Sequence, residues 1–318
     1  MTRPTAVVAL GGGHGLAATL QALRHVTHDV TAVVTVADDG GSSGRLREEF
    51  GILPPGDLRM ALAALCRDDD WGRTWSEVLQ HRFSGDGALG GHSLGNLLIA
   101  ALWETHATVD GLDWVARLLG AEGRVLPMAA VPLEIEADVS APDEASGVLV
   151  VRGQVKVAST RGRVLAVRLL PQAPPVHPET VAAVETADFV VLGPGSWFTS
   201  VIPHLLVPDL RAALVGTRAR RIVVLNLRAQ AGETDGFSPE RHLQVLSAHA
   251  PDLAIDVVVA DPRHVDQTAL LEAQCRALGA ELVLEKVAMD DGSDRHDPSL
   301  LAATFTALTE GGRIGSWR

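Results

Sequence analysis

The run Ala6-Val7-Val8-Ala9-Leu10 passes straight into Gly11-Gly12-Gly13-His14-Gly15, and apolar residues at helical spacing follow from Leu16 to His25. An apolar run without polar alternation fits a strand buried on both faces, as in a parallel sheet. Glycines at its end permit positive φ and let backbone N–H groups approach a ligand with no Cβ in the way. A helix starting there adds the partial positive charge of its N-terminus, so the turn suits an anion such as phosphate. A bare strand-to-helix turn is the plain alternative, but four glycines in five positions exceed what a turn requires.

In the dinucleotide register, Gly13, Gly15 and Ala18 satisfy G-x-G-x-x-A. Asp38 lies about 20 residues further on, where such folds place a ribose-binding carboxylate. An NAD-binding enzyme is a reading that rests on this fingerprint alone. No Lys-Ser or Lys-Thr pair follows the loop, which excludes the ATPase P-loop.

A second run, Val30 to Val36, ends in Asp38-Asp39-Gly40-Gly41-Ser42-Ser43-Gly44-Arg45 and completes a βαβ unit. Its carboxylates could hold ribose hydroxyls or Mg²⁺, and its hydroxyls and N–H groups phosphate. Otherwise it is a solvated loop with an Asp cap. A third run, Phe189 to Leu192, ends in Gly193-Pro194-Gly195-Ser196, with Thr199 and Ser200 behind. Two such turns on one sheet edge could clamp two phosphates, or a phosphate and a sugar. Gly90-Gly91-His92-Ser93-Leu94-Gly95-Asn96 opens a helix, where Asn96 either caps or reads a base edge or ribose. Of the 12 histidines only His14 and His92 sit in glycine turns. No G-x-S-x-G, H-E-x-x-H or Cys-His signature is present, so nucleophilic catalysis has no candidate.

Further strands are expected at Ile222–Leu225, Ile255–Ala260 and Leu282–Glu285, with helices at Pro239–His249 and His264–Leu278. Between 56 and 120 the apolar spacing predicts four helices and no strand. Between 126 and 170 short runs alternate, and Val148–Val151 with Val155–Ala158 read as antiparallel strands or a hairpin. The expected fold is α/β: a doubly wound, mostly parallel Rossmann-like sheet with a helical insertion and a small antiparallel segment. Residues 1–318 are read as one domain.

Net charge is −12 with no basic run, which excludes a nucleic-acid surface. No run approaches the roughly 20 apolar residues of a membrane span, and Met1–Pro4 start no secretory signal. A cytoplasmic protein without membrane insertion is expected. Cys66 and Cys275 share no metal spacing and read as reduced core thiols. A homo-oligomer is compatible with all of this.

The glycine turn from Gly11 to Leu16, Asp38 to Gly44, and Gly56-Asp57-Leu58-Arg59 occur in order along the chain. Gly95-Asn96, Gly193 to Ser196 with Thr199-Ser200, Gln230-Ala231-Gly232-Glu233-Thr234 and Arg295-His296-Asp297 follow. Nearly end to end, the set resembles the gluconeogenesis factor family, relatives of the 2-phospho-L-lactate transferase. The resemblance implies a Rossmann-like bacterial protein of the cytoplasm, needed for growth and cell shape on gluconeogenic carbon. It also implies a UDP-sugar ligand such as UDP-N-acetylglucosamine. The ligand would be held by Gly11, Gly12, Gly13, His14, Gly15, Asp38, Asp39, Gly40, Gly41, Ser42 and Ser43, with Asn96, Gly193, Pro194, Gly195, Ser196, Thr199 and Arg295 completing the site. The transferase relatives instead move a phospholactyl group from a guanosine nucleotide onto a deazaflavin with Mg²⁺, and Asp38 or Asp39 would then be metal ligands. His14, Trp197-Phe198 and His204 depart from the residues usual in the family.

Overall fold

The computed structural model describes residues 3–140, 147–160, 162–230 and 232–314. Expectations at Met1, Thr2 and Ala231, and at 141–146 within the alternating segment, lie outside these residues.

Valine-rich runs make the central strands. β1 (Ala6–Gly11) is buried along its whole length. It leads into α1 (Gly13–Leu23) and then β2 (Asp29–Val34), which pairs parallel to it from Ala6↔Asp29 to Gly11↔Val34. The helical block follows as α2 (Gly41–Phe50), α3 (Gly56–Ala64), α4 (Asp70–Gln80), α5 (Leu94–Trp103) and α6 (Thr108–Leu119). Local chemistry sets its ends. Asp69 caps α4 by accepting the Gly72 N–H at 2.7 Å. Gly120, at φ 61°, closes α6 in the left-handed conformation.

The next strand corrects the expectation that the antiparallel segment begins near 126. β3 (Arg124–Pro127) pairs parallel to β2 as an edge of the main sheet. Antiparallel structure starts at β4 (Glu134–Ser140), joined by β5 (Val148–Arg152), one helical turn α7 (Gln154–Ala158), and β6 (Arg163–Leu170). These strands form a separate three-stranded sheet, β5-β4-β6. Val155–Ala158 is therefore helical, not a hairpin strand. Gly153 turns the chain at φ 98°, and the Asp39 carboxylate then accepts the Val155 N–H at 3.0 Å. Glu136 of β4, between Arg152 and Arg168, ties the three strands across one face.

Beyond α8 (Pro178–Thr186), β7 (Phe189–Leu192) returns to the main sheet against β1, with Val7 opposite Phe189. The remaining elements are α9 (Pro203–Leu206), α10 (Pro208–Gly216), β8 (Arg220–Val224), α11 (Pro239–His249), β9 (Val257–Ala260), α12 (Thr268–Ala277), β10 (Glu281–Leu284) and α13 (Pro298–Ile314). The completed order is β10-β9-β8-β7-β1-β2-β3, and every pairing is parallel. The fold is thus a doubly wound α/β sheet. The chain builds outward from β1 in one direction and from β7 in the other, so the topological switch point lies between those two strands. No helix among the described residues is long and apolar enough to cross a membrane. Both cysteines are buried and free.

Two buried histidines give this core a defined acid response. His204 donates Nε2–H to the Val33 carbonyl at 3.0 Å, and burial pushes its pKa down to about 4. Burial does the same to His296, also to about 4. Each value lies below that of an unfolded histidine, so the associated stability is present above about pH 6.5 and is lost as pH falls toward 4. Each site should cost on the order of 3 kcal/mol when the descent is complete. Urea unfolding at pH 7 and pH 4.5 measures this. Removing the titratable ring with His204→Gln should flatten the dependence.

Candidate functional site

At the switch point the turns after β1 and β7 come into backbone contact. A Cβ on residue 15 would lie 2.2 Å from the Pro194 carbonyl oxygen, so only glycine fits there. A Cβ on residue 12 would lie 2.4 Å from the Thr35 methyl and 2.5 Å from Asp57 Oδ2. Gly12, the N-cap of α1, offers no side-chain acceptor, and the Asp57 carboxyl meets the Gly13 N–H, which leaves the other first-turn N–H groups to a ligand.

The opposite turn is held from three sides. The Thr19 hydroxyl donates to the Gly193 carbonyl at 3.1 Å. The Asn226 side chain clamps Gly195, accepting its N–H and donating to its carbonyl, each at 2.8 Å. Glu233 is buried and accepts the Ser196 hydroxyl at 2.7 Å and the Phe198 N–H at 2.9 Å. Burial pushes its pKa up, while those donors pull it back. Sequence reasoning passed over Asn226 and gave Glu233 no role. Only their position, one strand-end away from the third glycine turn, marks them.

Between the turns lies a cavity of about 350 Å³, with Gly12–Gly15 on one side and Gly195, Ser196, Thr199 and Ser200 on the other. Asp57, Gln154, Gln230 and Glu233 complete its wall. Of the residues expected at the site, the structure gathers Gly12, Gly13, His14, Gly15, Gly195, Ser196 and Thr199 here. Gly11 ends β1 beneath the cavity, and Gly193 and Pro194 form the turn behind it.

The second loop is arranged differently. Asp38 accepts the Gly40 N–H at 2.9 Å and stands beside Asp57, whereas Asp39 is occupied with Val155. Gly40 and Gly41 start α2, with Ser42 and Ser43 buried in its first turn. Asn96 is buried too: it accepts from Arg59 Nε at 2.9 Å and donates to the Ser42 hydroxyl at 3.0 Å, which bonds His92 Nδ1 at 2.9 Å. Both ends of its amide are used inside the protein, so it braces the second loop against α3 and α5. Burial first, then Arg45, holds the His92 pKa down. Arg295 pairs with Asp291 at 2.9 Å on the exposed surface and does not line the cavity.

Asp57, like Glu233, has no role in the sequence reading. It is half-buried on the cavity wall, and its Oδ2, shielded from solvent, has no hydrogen-bond partner. Burial, and then the neighbouring Asp38 charge, push its pKa up to about 7, against the Gly13 N–H and Arg59. Among the described residues no group of three or more acidic, His or Cys side chains is placed to hold a metal. Asp38 with Asp57, rather than with Asp39, is the carboxyl pair that fits a divalent cation, because a cation would relieve both the like charges and the orphaned oxygen.

The fold and this cavity define a doubly wound α/β protein with a glycine-lined crevice at its switch point. The model of the 2-phospho-L-lactate transferase CofD family matches residues 7–296. A Mycobacterium leprae protein named "Putative gluconeogenesis factor" is 55% identical over 318 residues, covering 98% of this chain and 87% of its own. The gluconeogenesis factor of Bacillus subtilis is 33% identical over 319 residues, covering 95% and 97%. The crystal structure of a UPF0052 family member from Bacillus halodurans superposes with a TM-score of 0.85 at 32% identity, covering 96% of this chain and 99% of that one. The chain belongs to the CofD-like gluconeogenesis factor family.

A raised carboxyl makes a stability prediction. The folded pKa of Asp57 lies above the ordinary 3.8, so burying it costs nothing below that value and progressively more as pH rises through 7. Asp57→Asn should match the native protein at pH 4 and exceed it at pH 8 by on the order of 3 kcal/mol. Urea midpoints at the two pH values test this. A gap independent of pH would show that folding leaves the Asp57 pKa where it is in the unfolded chain.

Proposed function

We propose that the protein binds a nucleotide sugar of the UDP-N-acetylglucosamine type in the switch-point cavity. It then acts as a gluconeogenesis factor: a cytoplasmic regulator needed for growth and cell shape on gluconeogenic carbon. One observation carries the reading. The glycine-rich start of α1 faces the hydroxyl-bearing turn after β7 across a single cavity, and that crevice is where doubly wound folds take phosphorylated ligands. The names of the relatives supply the physiological half. Glu233 supports binding without turnover, since its carboxylate is committed to Ser196 and the Phe198 N–H.

A second reading, an Mg²⁺-dependent phospholactyl transferase acting on a deazaflavin acceptor, is favoured by the Asp38–Asp57 pair and by the family model. Asp38 and Asp57 would hold the ion, which neutralises charge on phosphoryl oxygens. The α1 N-terminus would position the same phosphates.

A ligand that binds only the native state raises the melting temperature once its concentration exceeds Kd. UDP-N-acetylglucosamine and UDP-glucose should each raise it without Mg²⁺, and GDP should not. The absence of any shift at millimolar UDP-sugar would end the first reading. A GDP shift that requires Mg²⁺ and vanishes in Asp57→Asn would establish the second.

A further inference from the structure

One wall of the switch-point cavity comes from outside the parallel sheet. α7, carried by the three-stranded sheet, sets Gln154 and Ala158 against the crevice. Residues four apart share one face of a helix. Val157 packs into the core beside that face, and Val155 and Lys156 stay exposed. Both ends of α7 are fixed by loops that follow strands of the main sheet. At its start Asp39, after β2, accepts the Val155 N–H at 3.0 Å, and a Cβ on residue 153 would overlap its Oδ2. At its end a Cβ on residue 232, after β8, would lie 3.0 Å from the Ala158 carbonyl oxygen and 3.2 Å from that of Thr160.

Gln154 is half-buried on this wall, and its carboxamide is hydrogen-bonded to no described residue. Its Oε1 is shielded from solvent as well as unpartnered, a costly state for a polar atom. The other amides near the crevice differ. Asn226 and Asn96 use both ends of their side chains inside the protein, and Gln230 is exposed, where water serves it. A neutral amide that both donates and accepts matches a sugar hydroxyl, which does the same. The glycine turn after β1 and the hydroxyls after β7 suit phosphate, whose oxygens only accept.

We propose that Gln154 recognises the sugar of the bound nucleotide sugar, and that Asp39 positions it by holding α7 rather than by touching the ligand. The inference rests on the nucleotide-sugar reading above, and it names the group that tells a UDP-sugar from UDP. It also gives the three-stranded sheet a task at the site, since that sheet carries α7 to the crevice.

Calorimetric titration with UDP-N-acetylglucosamine and with UDP tests the proposal. The native protein should prefer the sugar-bearing compound. Gln154→Ala, which suits a helix, should weaken UDP-N-acetylglucosamine roughly tenfold and leave UDP unchanged. Asp39→Ala should weaken the same compound, whereas Asp39→Asn, which keeps the Oδ1 acceptor for Val155, should not. In the Gln154→Ala background Asp39→Ala should add no further loss, because residues acting through one contact are not additive. No loss in Gln154→Ala, or a loss shared equally by UDP, overturns the sugar contact. A further loss in the double variant, or an equal loss in Asp39→Asn, puts Asp39 on the ligand and overturns its positioning role. Equal native affinities for the two compounds overturn this inference and leave the nucleotide-sugar reading standing. Failure to bind either compound removes that reading, and this inference with it.

Discussion

The carbonyl oxygen of Pro194 occupies the space where a side chain on residue 15 would be. Two strand-ends meet at that contact with nothing but backbone between them, and the neighbouring structure is organised around keeping it. The β1–β7 register sets the height of the two turns. Thr19 ties α1 to the far turn, Asn226 fixes Gly195 from β8, and Glu233 anchors the helical turn that follows. Trp197 and Phe198, wholly buried just beyond Ser196, fill the space beneath and hold the turn in position. A crevice made this way presents N–H groups and hydroxyls without requiring mobile side chains, which favours a ligand rich in acceptor oxygens.

A second layer lies behind the first. From half-buried Asp57 on the cavity wall, Arg59, Asn96, Ser42 and His92 form a run of buried polar groups into the helical block. Such a run is costly in an apolar interior and destabilising wherever a member lacks a partner. Here Asp57 Oδ2 and Arg59 Nη1 both lack one. Burial, followed by the Arg82 charge, lowers the arginine pKa to about 10, so even this cation is held under strain. Strained ionisable groups beside a crevice are where a fold gives up stability, and such groups cluster at functional sites.

The sheet was legible because its strands are runs of valine with glycine at their ends. β7 occupies the residues the pattern delimits, and the four helices between 56 and 120 follow from their apolar spacing. Other features depended on contacts remote in sequence. β3 is four residues long and ends in proline, too short for any period to declare, and only pairing with β2 makes it part of the main sheet. Val155–Ala158 carries valine at alternate positions like a strand, yet Gly153 and the distant Asp39 carboxylate wind it into a turn of helix. At the candidate site, glycine turns announce themselves, since few other structures need such density. Carboxyl groups do not. Asp38 and Asp39 look equivalent in the sequence, and only the fold directs one toward Asp57 and the other toward α7. Asn96 likewise belongs to the bracing behind the second loop.

The pairing of Val7 with Phe189 joins segments 182 residues apart, counting from 7 to 189. A ribosome adding roughly 5–20 residues each second needs about ten to forty seconds to cover that span. Throughout it, one edge of β1 has no neighbour, and the first glycine turn has nothing to face. The crevice is therefore a late product of synthesis, assembled only when the second half of the chain arrives. Contacts this remote slow folding and prolong the exposure of an apolar strand edge, so the nascent chain is most open to wrong pairings while its crevice is only half built.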